Sequence, residues 1–148
     1  MAKLSKVYDD VLLEHIRNAR NFHVIDQATH RSEGINPLCG DSFTVYLVLD
    51  GERVVAASFQ CECCGISMAS ASIMTELVRG KSRAQVAALR EEFFRRLAAA
   101  EISGADGDSG AVVAAVIAAP SRHNCAKLAW QTMQAALDGQ PRAVLTPA

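Results

Sequence analysis

The sequence predicts an α+β fold: a small antiparallel sheet of about three strands packed against several helices. Three observations lead there. Val11, Leu12, His15 and Ile16 recur at helical spacing near the N-terminus, with charged residues between them. Residues 42–49 and 53–60 are two extended runs, the first alternating and the second rich in Val and Ala, joined by the turn pair Asp50-Gly51. Beyond Cys64 the chain is rich in Ala and Met and punctuated by helix starts and stops.

Taken in order, residues 8–20 read as the first amphipathic helix. Residues 21–36 are irregular, with Val24 and Ile25 expected to seat a short strand before the turn signal Gly34-Ile35-Asn36-Pro37. In 42–49, Phe43, Val45, Leu47 and Leu49 alternate with Thr44, Tyr46 and Val48, so one set faces the core. Residues 67–79 form a helix closed by Gly80, and 82–99 another with Ser82 as its N-cap. The small polar cluster at 103–110 reads as an exposed, flexible loop. An apolar run at 111–119 stops at Pro120, and 121–137 is a last helix turning Leu128, Ala129, Met133 and Leu137 inward. The tail after Gly139 reads as frayed. No repeat or internal boundary interrupts the 148 residues, so a single domain spanning 1–148 is expected.

Fifteen basic residues nearly balance sixteen acidic ones and are spread along the chain, which argues against a nucleic-acid partner. The first residues lack a signal peptide's apolar core and no later stretch is long enough to span a bilayer, so a cytoplasmic protein with no membrane partner is expected. Nothing in the pattern resembles a phosphate loop, a Ser-His-Asp set or paired carboxylates, so hydrolase and kinase chemistry have no support. Five cysteines in a reducing compartment cannot all pair internally and stand as candidate ligands or nucleophiles, although small buried thiols also serve as plain packing residues.

A hairpin turning at Asp50-Gly51 lays the chain just before Ser42 beside the chain just after Gln60, so Cys39 and the Cys61–Cys64 cluster become neighbours. Cys64 precedes one helix and Cys125 lies in the first turns of another. Free amides and the positive end of the helix dipole favour a thiolate at such places. Three thiolates, Cys39, Cys64 and Cys125, with the Asp41 carboxylate would make a tetrahedral set suited to zinc, or to an iron–sulfur cluster with one oxygen ligand. Cys61 and Cys63 share one side of the strand if it continues; they are reserve ligands, a resolving pair for a persulfide, or packing residues. His123 is a further candidate ligand beside Cys125, ahead of His15, His23 and His30.

The run Asn36-Pro37-Leu38-Cys39-Gly40-Asp41 resembles the signature of the U-type iron–sulfur cluster assembly scaffold family, which includes IscU, SufU and the N-terminal domain of NifU. Cys64-Gly-Ile-Ser-Met-Ala-Ser-Ala-Ser72 and Arg122-His-Asn-Cys125-Ala-Lys-Leu-Ala-Trp130 resemble that family's second and third cysteine segments. The resemblance spans nearly the whole chain. It implies that Cys39, Cys64 and Cys125 are the metal or cluster thiolates, with Asp41 the carboxylate beside them. It also implies a cysteine desulfurase and acceptor apoproteins as partners, and a monomer or weak homo-oligomer. The cargo or cofactor is a [2Fe-2S] cluster or iron, with zinc as the alternative. The long interval between Cys64 and Cys125 and the pattern Arg122-x-x-Cys125-Ala-x-Leu are closer to the SufU-like branch, in which zinc is bound and persulfide relayed through a thiol such as Cys64 or Cys125. The expected function is therefore assembly of iron–sulfur clusters; the alternatives are zinc-dependent sulfur relay without cluster building, or a purely structural zinc module. A stand-alone enzyme is not expected. Two departures stand out: Cys61-Glu62-Cys63-Cys64 replaces the family's Gly-x-Gly-Cys, and Ala119-Pro-Ser-Arg122 replaces the Pro-Pro-Val-Lys segment through which IscU proteins engage an Hsp70 chaperone.

Overall fold

In a computed structural model, residues 2–37, 40–102 and 108–144 are described, the first six of these and Val144 as backbone only. The elements run α1 (Ala2–Arg17), β1 (His30–Ile35), β2 (Ser42–Asp50), β3 (Arg53–Glu62), α2 (Gly65–Val78), α3 (Arg83–Ala99), α4 (Ser109–Ala118), a 3-10 turn at Pro120–Arg122, α5 (His123–Leu137) and β4 (Arg142–Val144). The sheet has the order β3-β2-β1-β4, with β4 parallel to β1 and the other neighbours antiparallel.

The hairpin forms where Asp50-Gly51 placed it. Asp50 faces Arg53 across the turn, with Gly51 at φ +61°, a left-handed conformation that costs glycine little. One register shift between Val48 and Leu49 lets the ladder end with Ser42 opposite Glu62. Phe43, Val45 and Leu47 are buried, as their alternation requires. The helical half also follows its punctuation: Gly80 takes φ +81° after α2, and Ser82 caps α3 in a reciprocal capping box with Gln85.

Three expectations need correction. Val24 and Ile25 belong to no strand; Phe22 alone makes a bridge, to Phe59, and Val24 is exposed. The strand is instead His30–Ile35, whose buried positions are Ser32 and Gly34 rather than apolar residues. Gly34 is required because α5 crosses there: a Cβ at this position would collide with the Thr132 hydroxyl. The sheet, expected to have about three antiparallel strands, has a fourth, because Arg142–Val144 returns from α5 to pair with Glu33–Ile35 rather than fraying. The polar cluster expected to loop over 103–110 is shorter at its far end, since Ser109 and Gly110 open α4; residues 103–107 lie outside the described residues.

Helix α5 packs on β1 and β2, α2 packs on β3 and α5, and α1 lies across α2 and α4. Trp130 of α5 is buried against Phe93 of α3, ring centroids 5.6 Å apart. Buried His15 fastens α1: Nδ1 lies 2.7 Å from Ser72 Oγ on α2 and Nε2 2.9 Å from Asp108 Oδ2. Gly65 gives α1 room at the start of α2, where an added Cβ would meet Ile16 Cδ1 at 2.9 Å.

The crossing at Gly34 makes a sharp expectation. Gly34→Ala will destabilise the protein by about 1–3 kcal/mol in urea unfolding, the usual cost of overpacking a close contact. Adding Thr132→Ala will recover part of that loss. Additive effects in the double variant would show that the two sites do not touch.

Candidate metal and sulfur site

Asp41, Cys64 and Cys125 meet at one end of the sheet. The Asp41 carboxylate and the two sulfurs lie within 4.8 Å of one another. Each arrives by a different local device. Asp41 stands just before β2, in the connection from β1, which is tied across its neck by Asn36 N–H to Asp41 C=O at 2.9 Å and Gly40 N–H to Asn36 C=O at 2.8 Å. Gly40 takes φ +77° there, which makes glycine the natural residue between Cys39 and Asp41. Cys64 is the N-cap residue of α2, and Cys125 the third residue of α5. Both thiols therefore sit at helix starts, near the positive end of the helix dipole, the placement expected from the sequence.

Ser67, on the first turn of α2, links all three. Its buried hydroxyl donates toward Asp41 Oδ2 at 2.8 Å and Cys125 C=O at 3.1 Å, and the Cys64 sulfur is 3.4 Å from the same oxygen. A hydrogen bond to a buried carboxylate contributes about 1.5–3 kcal/mol, enough to offset part of the cost of taking Asp41 out of water. Asp41 and Cys125 are both buried and Cys64 is half-buried, so Cys64 is the more accessible thiol of the two.

Arg122, the last residue of the 3-10 turn, brings a positive charge to this group. Its guanidinium is held above its ordinary pKa first by a hydrogen bond to Cys125, then by the negative charge of Cys64 and Cys125 and, more weakly, of Asp41. His123 is pushed the other way, below the usual histidine value, by partial burial and by Lys127, which keeps its imidazole neutral at pH 7.

His123 is not among the donor atoms that converge with Asp41. Cys61 and Cys63 are bonded to each other as a disulfide. Cys39 lies outside the described residues. Sequence reasoning missed Ser67 altogether, because a serine three residues past a helix start carries no signal of its own. It also singled out Arg122 only as part of a motif. A second group, His15 with Glu76 and Asp108, brings its ligand atoms within 4.8 Å as well; His15 had ranked low as a ligand, and its ring nitrogens are engaged in joining α1 to α2 and α4.

The donor set fits a metal chemically. Two sulfurs and one carboxylate oxygen are ligands that zinc and iron both accept. Donors around a tetrahedral zinc stand roughly 3.3–3.8 Å apart at ordinary Zn–S and Zn–O lengths, so the observed group needs to close by only about an ångström.

Fold and site together define a small α+β protein with a thiolate–carboxylate set at the junction of a hairpin and two helix starts. Residues 7–144 match the NifU-like N terminal domain model, and the chain belongs to that family of iron–sulfur cluster assembly proteins. It is 33% identical over 135 residues to the zinc-dependent sulfurtransferase SufU of Bacillus subtilis, covering 90% of each chain. Over 131 residues it is 30% identical to the iron–sulfur cluster assembly scaffold protein IscU of Thermotoga maritima, covering 88% of this chain and 92% of that one. Among solved structures, a putative SUF-system scaffold from Fervidobacterium islandicum aligns with a TM-score of 0.77 at 26% identity, covering 86% of this chain and 94% of that one. The N-terminal NifU-like protein of Brucella abortus shares the fold, with a TM-score of 0.80 at 21% identity over 92% of this chain and 95% of that one. Among the described residues no helix is long and apolar enough to cross a membrane.

Ser67 meets Asp41 Oδ2, the Cys64 sulfur and the Cys125 carbonyl, so if the set takes up added zinc, Ser67→Ala is expected to weaken its retention by about 10–100-fold, the usual effect of removing a group that orients ligands. Competition with a chromogenic chelator measures this. Retention equal to the parent would show that the hydroxyl does not orient the ligands.

Proposed function

We propose that this protein takes sulfur from a cysteine desulfurase persulfide onto a cysteine of the Cys39–Asp41–Cys64–Cys125 set and passes it toward iron–sulfur clusters in acceptor apoproteins. The observation that carries the reading is the convergence of Asp41, Cys64 and Cys125 on one buried hydroxyl, with the exposed Arg122 beside them. Cys39 completes the set as the fourth donor. A bound zinc would supply a redox-inert charge that holds thiolates deprotonated and ready.

The chain's own residues do the rest. Cys64, half-buried at the start of α2, is the thiol of the described pair that a partner's persulfide can approach, whereas Cys125 is covered. Sulfur moves when a thiolate attacks the outer sulfur of the donor persulfide, forming a new S–S bond and releasing the donor's cysteine as thiol. Arg122 stabilises the attacking charge and Ser67 holds Asp41 and Cys64 in position. Asp41 is the exchangeable member, since an oxygen ligand competes less strongly than sulfur for a soft partner.

A second reading, supported by the oxygen donor and by the similarity to IscU, is that the same four residues hold a [2Fe-2S] cluster as cargo before handing it on. Purification without oxygen, with assays for zinc, iron and acid-labile sulfide, separates the two. One zinc per chain supports sulfur relay, and iron with sulfide at a ratio of two to two supports cluster building. Asp41→Ala and Cys125→Ser should each lose the bound species; binding unchanged in both would place the site elsewhere.

Arg122 gives a salt-dependent expectation. It is an exposed cation held against the thiolate–carboxylate group, so Arg122→Ala should slow uptake of sulfur from an anionic persulfide such as glutathione persulfide by about threefold to tenfold at low ionic strength, and by less at high. A rate unchanged at low salt would remove Arg122 from the sulfur-accepting step.

A further inference from the structure

Cys61 and Cys63 stand outside the donor set, with Cys63 next to Cys64 in the chain, and their sulfurs are joined. Cys61 lies on β3 opposite Phe43, while Cys63 falls one residue beyond the last ladder pair, Ser42–Glu62, and immediately before Cys64. Two residues apart on an extended chain, they share one side. Their Cα atoms are 5.6 Å apart, inside the range that a disulfide spans. Both are partly accessible, and Cys61 borders an open cleft of about 510 Å³ lined also by Phe22, Phe43, Gln60 and Glu62.

We infer that Cys61 and Cys63 are an internal redox pair that reduces sulfane sulfur accepted at the neighbouring site to sulfide. The inference rests on the sulfur-acceptor reading above and adds a second activity to it. A persulfide delivers sulfur at oxidation state zero, whereas an iron–sulfur cluster contains sulfide, so two electrons must enter. A dithiol closing to a disulfide releases two.

The steps balance. The Cys63 thiol attacks the outer sulfur of a Cys64 persulfide; the old S–S bond breaks, Cys63 becomes the persulfide, and its proton goes to Cys64, which leaves as thiol. The Cys61 thiol then attacks the inner sulfur of the Cys63 persulfide, forming the Cys61–Cys63 bond and expelling hydrogen sulfide, which takes the Cys61 proton. In sum, two thiols and one persulfide become one disulfide, one thiol and one hydrogen sulfide. The persulfide on Cys64 extends that residue's reach by one S–S bond, about 2.05 Å. Cys63 can turn toward it because it lies outside the β2–β3 ladder and no cross-strand pairing must break. A dithiol reductant entering by the cleft beside Cys61 resets the pair, its own thiols closing to a disulfide as it does so.

The full-length protein, reduced and freed of reductant without oxygen, is treated with one equivalent of glutathione persulfide. After alkylation it is read by intact mass, peptide mapping and a sulfide assay. Wild type is expected to end with a Cys61–Cys63 disulfide and about one sulfide released per chain. Cys61→Ser and Cys63→Ser, checked for folding by circular dichroism, should keep the added sulfur and release at least about fivefold less sulfide. Equal sulfide release by the serine variants overturns the pair's role. So does a wild type that accumulates persulfide while Cys61 and Cys63 still alkylate, and that outcome leaves sulfur acceptance standing. If neither wild type nor variants take up sulfur, the acceptor reading itself falls, and this inference with it.

Discussion

One buried hydroxyl, Ser67 Oγ, ties together three segments that are far apart in sequence: the entry to β2, the start of α2 and the start of α5. A buried carboxylate without a partner would be costly, and facing Ser67 offsets part of that cost for Asp41. The serine can be there only because α2 begins immediately after β3 and turns back toward the hairpin's open end. Cys64, as N-cap, is thereby fixed one helical turn from the hydroxyl that also reaches Asp41 and the Cys125 carbonyl.

That arrangement depends in turn on how tightly α5 lies against the sheet. Gly34 gives the helix its closest approach, and Thr132 fills the space its missing side chain leaves. With α5 seated there, its first turn delivers Cys125 to the site and the preceding 3-10 turn delivers Arg122. The packing contact at Thr132 and the site residue Cys125 thus lie on one helix, about two turns apart. At the other side, His15 holds α1 to α2 through Ser72 and to α4 through Asp108, so the helices around the site are cross-linked by polar contacts as well as by apolar packing.

The chemistry is divided between two neighbouring sets of sulfur atoms. One set, with Asp41 and Arg122 nearby, has the donors and the charge suited to holding metal and thiolate. The other, Cys61 and Cys63, stands just ahead of Cys64 and closes on itself. Opened to two thiols, such a pair holds two electrons, which is what separates it from the donor set.

Local signals along the chain set the class of fold, the hairpin and most of the candidate site. Its alternating run, its Asp50-Gly51 turn and its caps at Gly80 and Ser82 are local signals, and local geometry is what they specify. From the turn alone it followed that the residues before Ser42 meet those after Gln60, and the motif segments supplied Asp41, Cys64 and Cys125. The tertiary structure alone decided where β1 lies, because its buried positions are Ser32 and Gly34 and its place is set by the helix crossing it rather than by apolar periodicity. It alone decided β4, three residues held by pairing to β1, and the parts played by Ser67 and Arg122. A hydroxyl or a guanidinium acquires its role from what long-range packing brings within about 3 Å of it, and no local pattern in the chain encodes that distance.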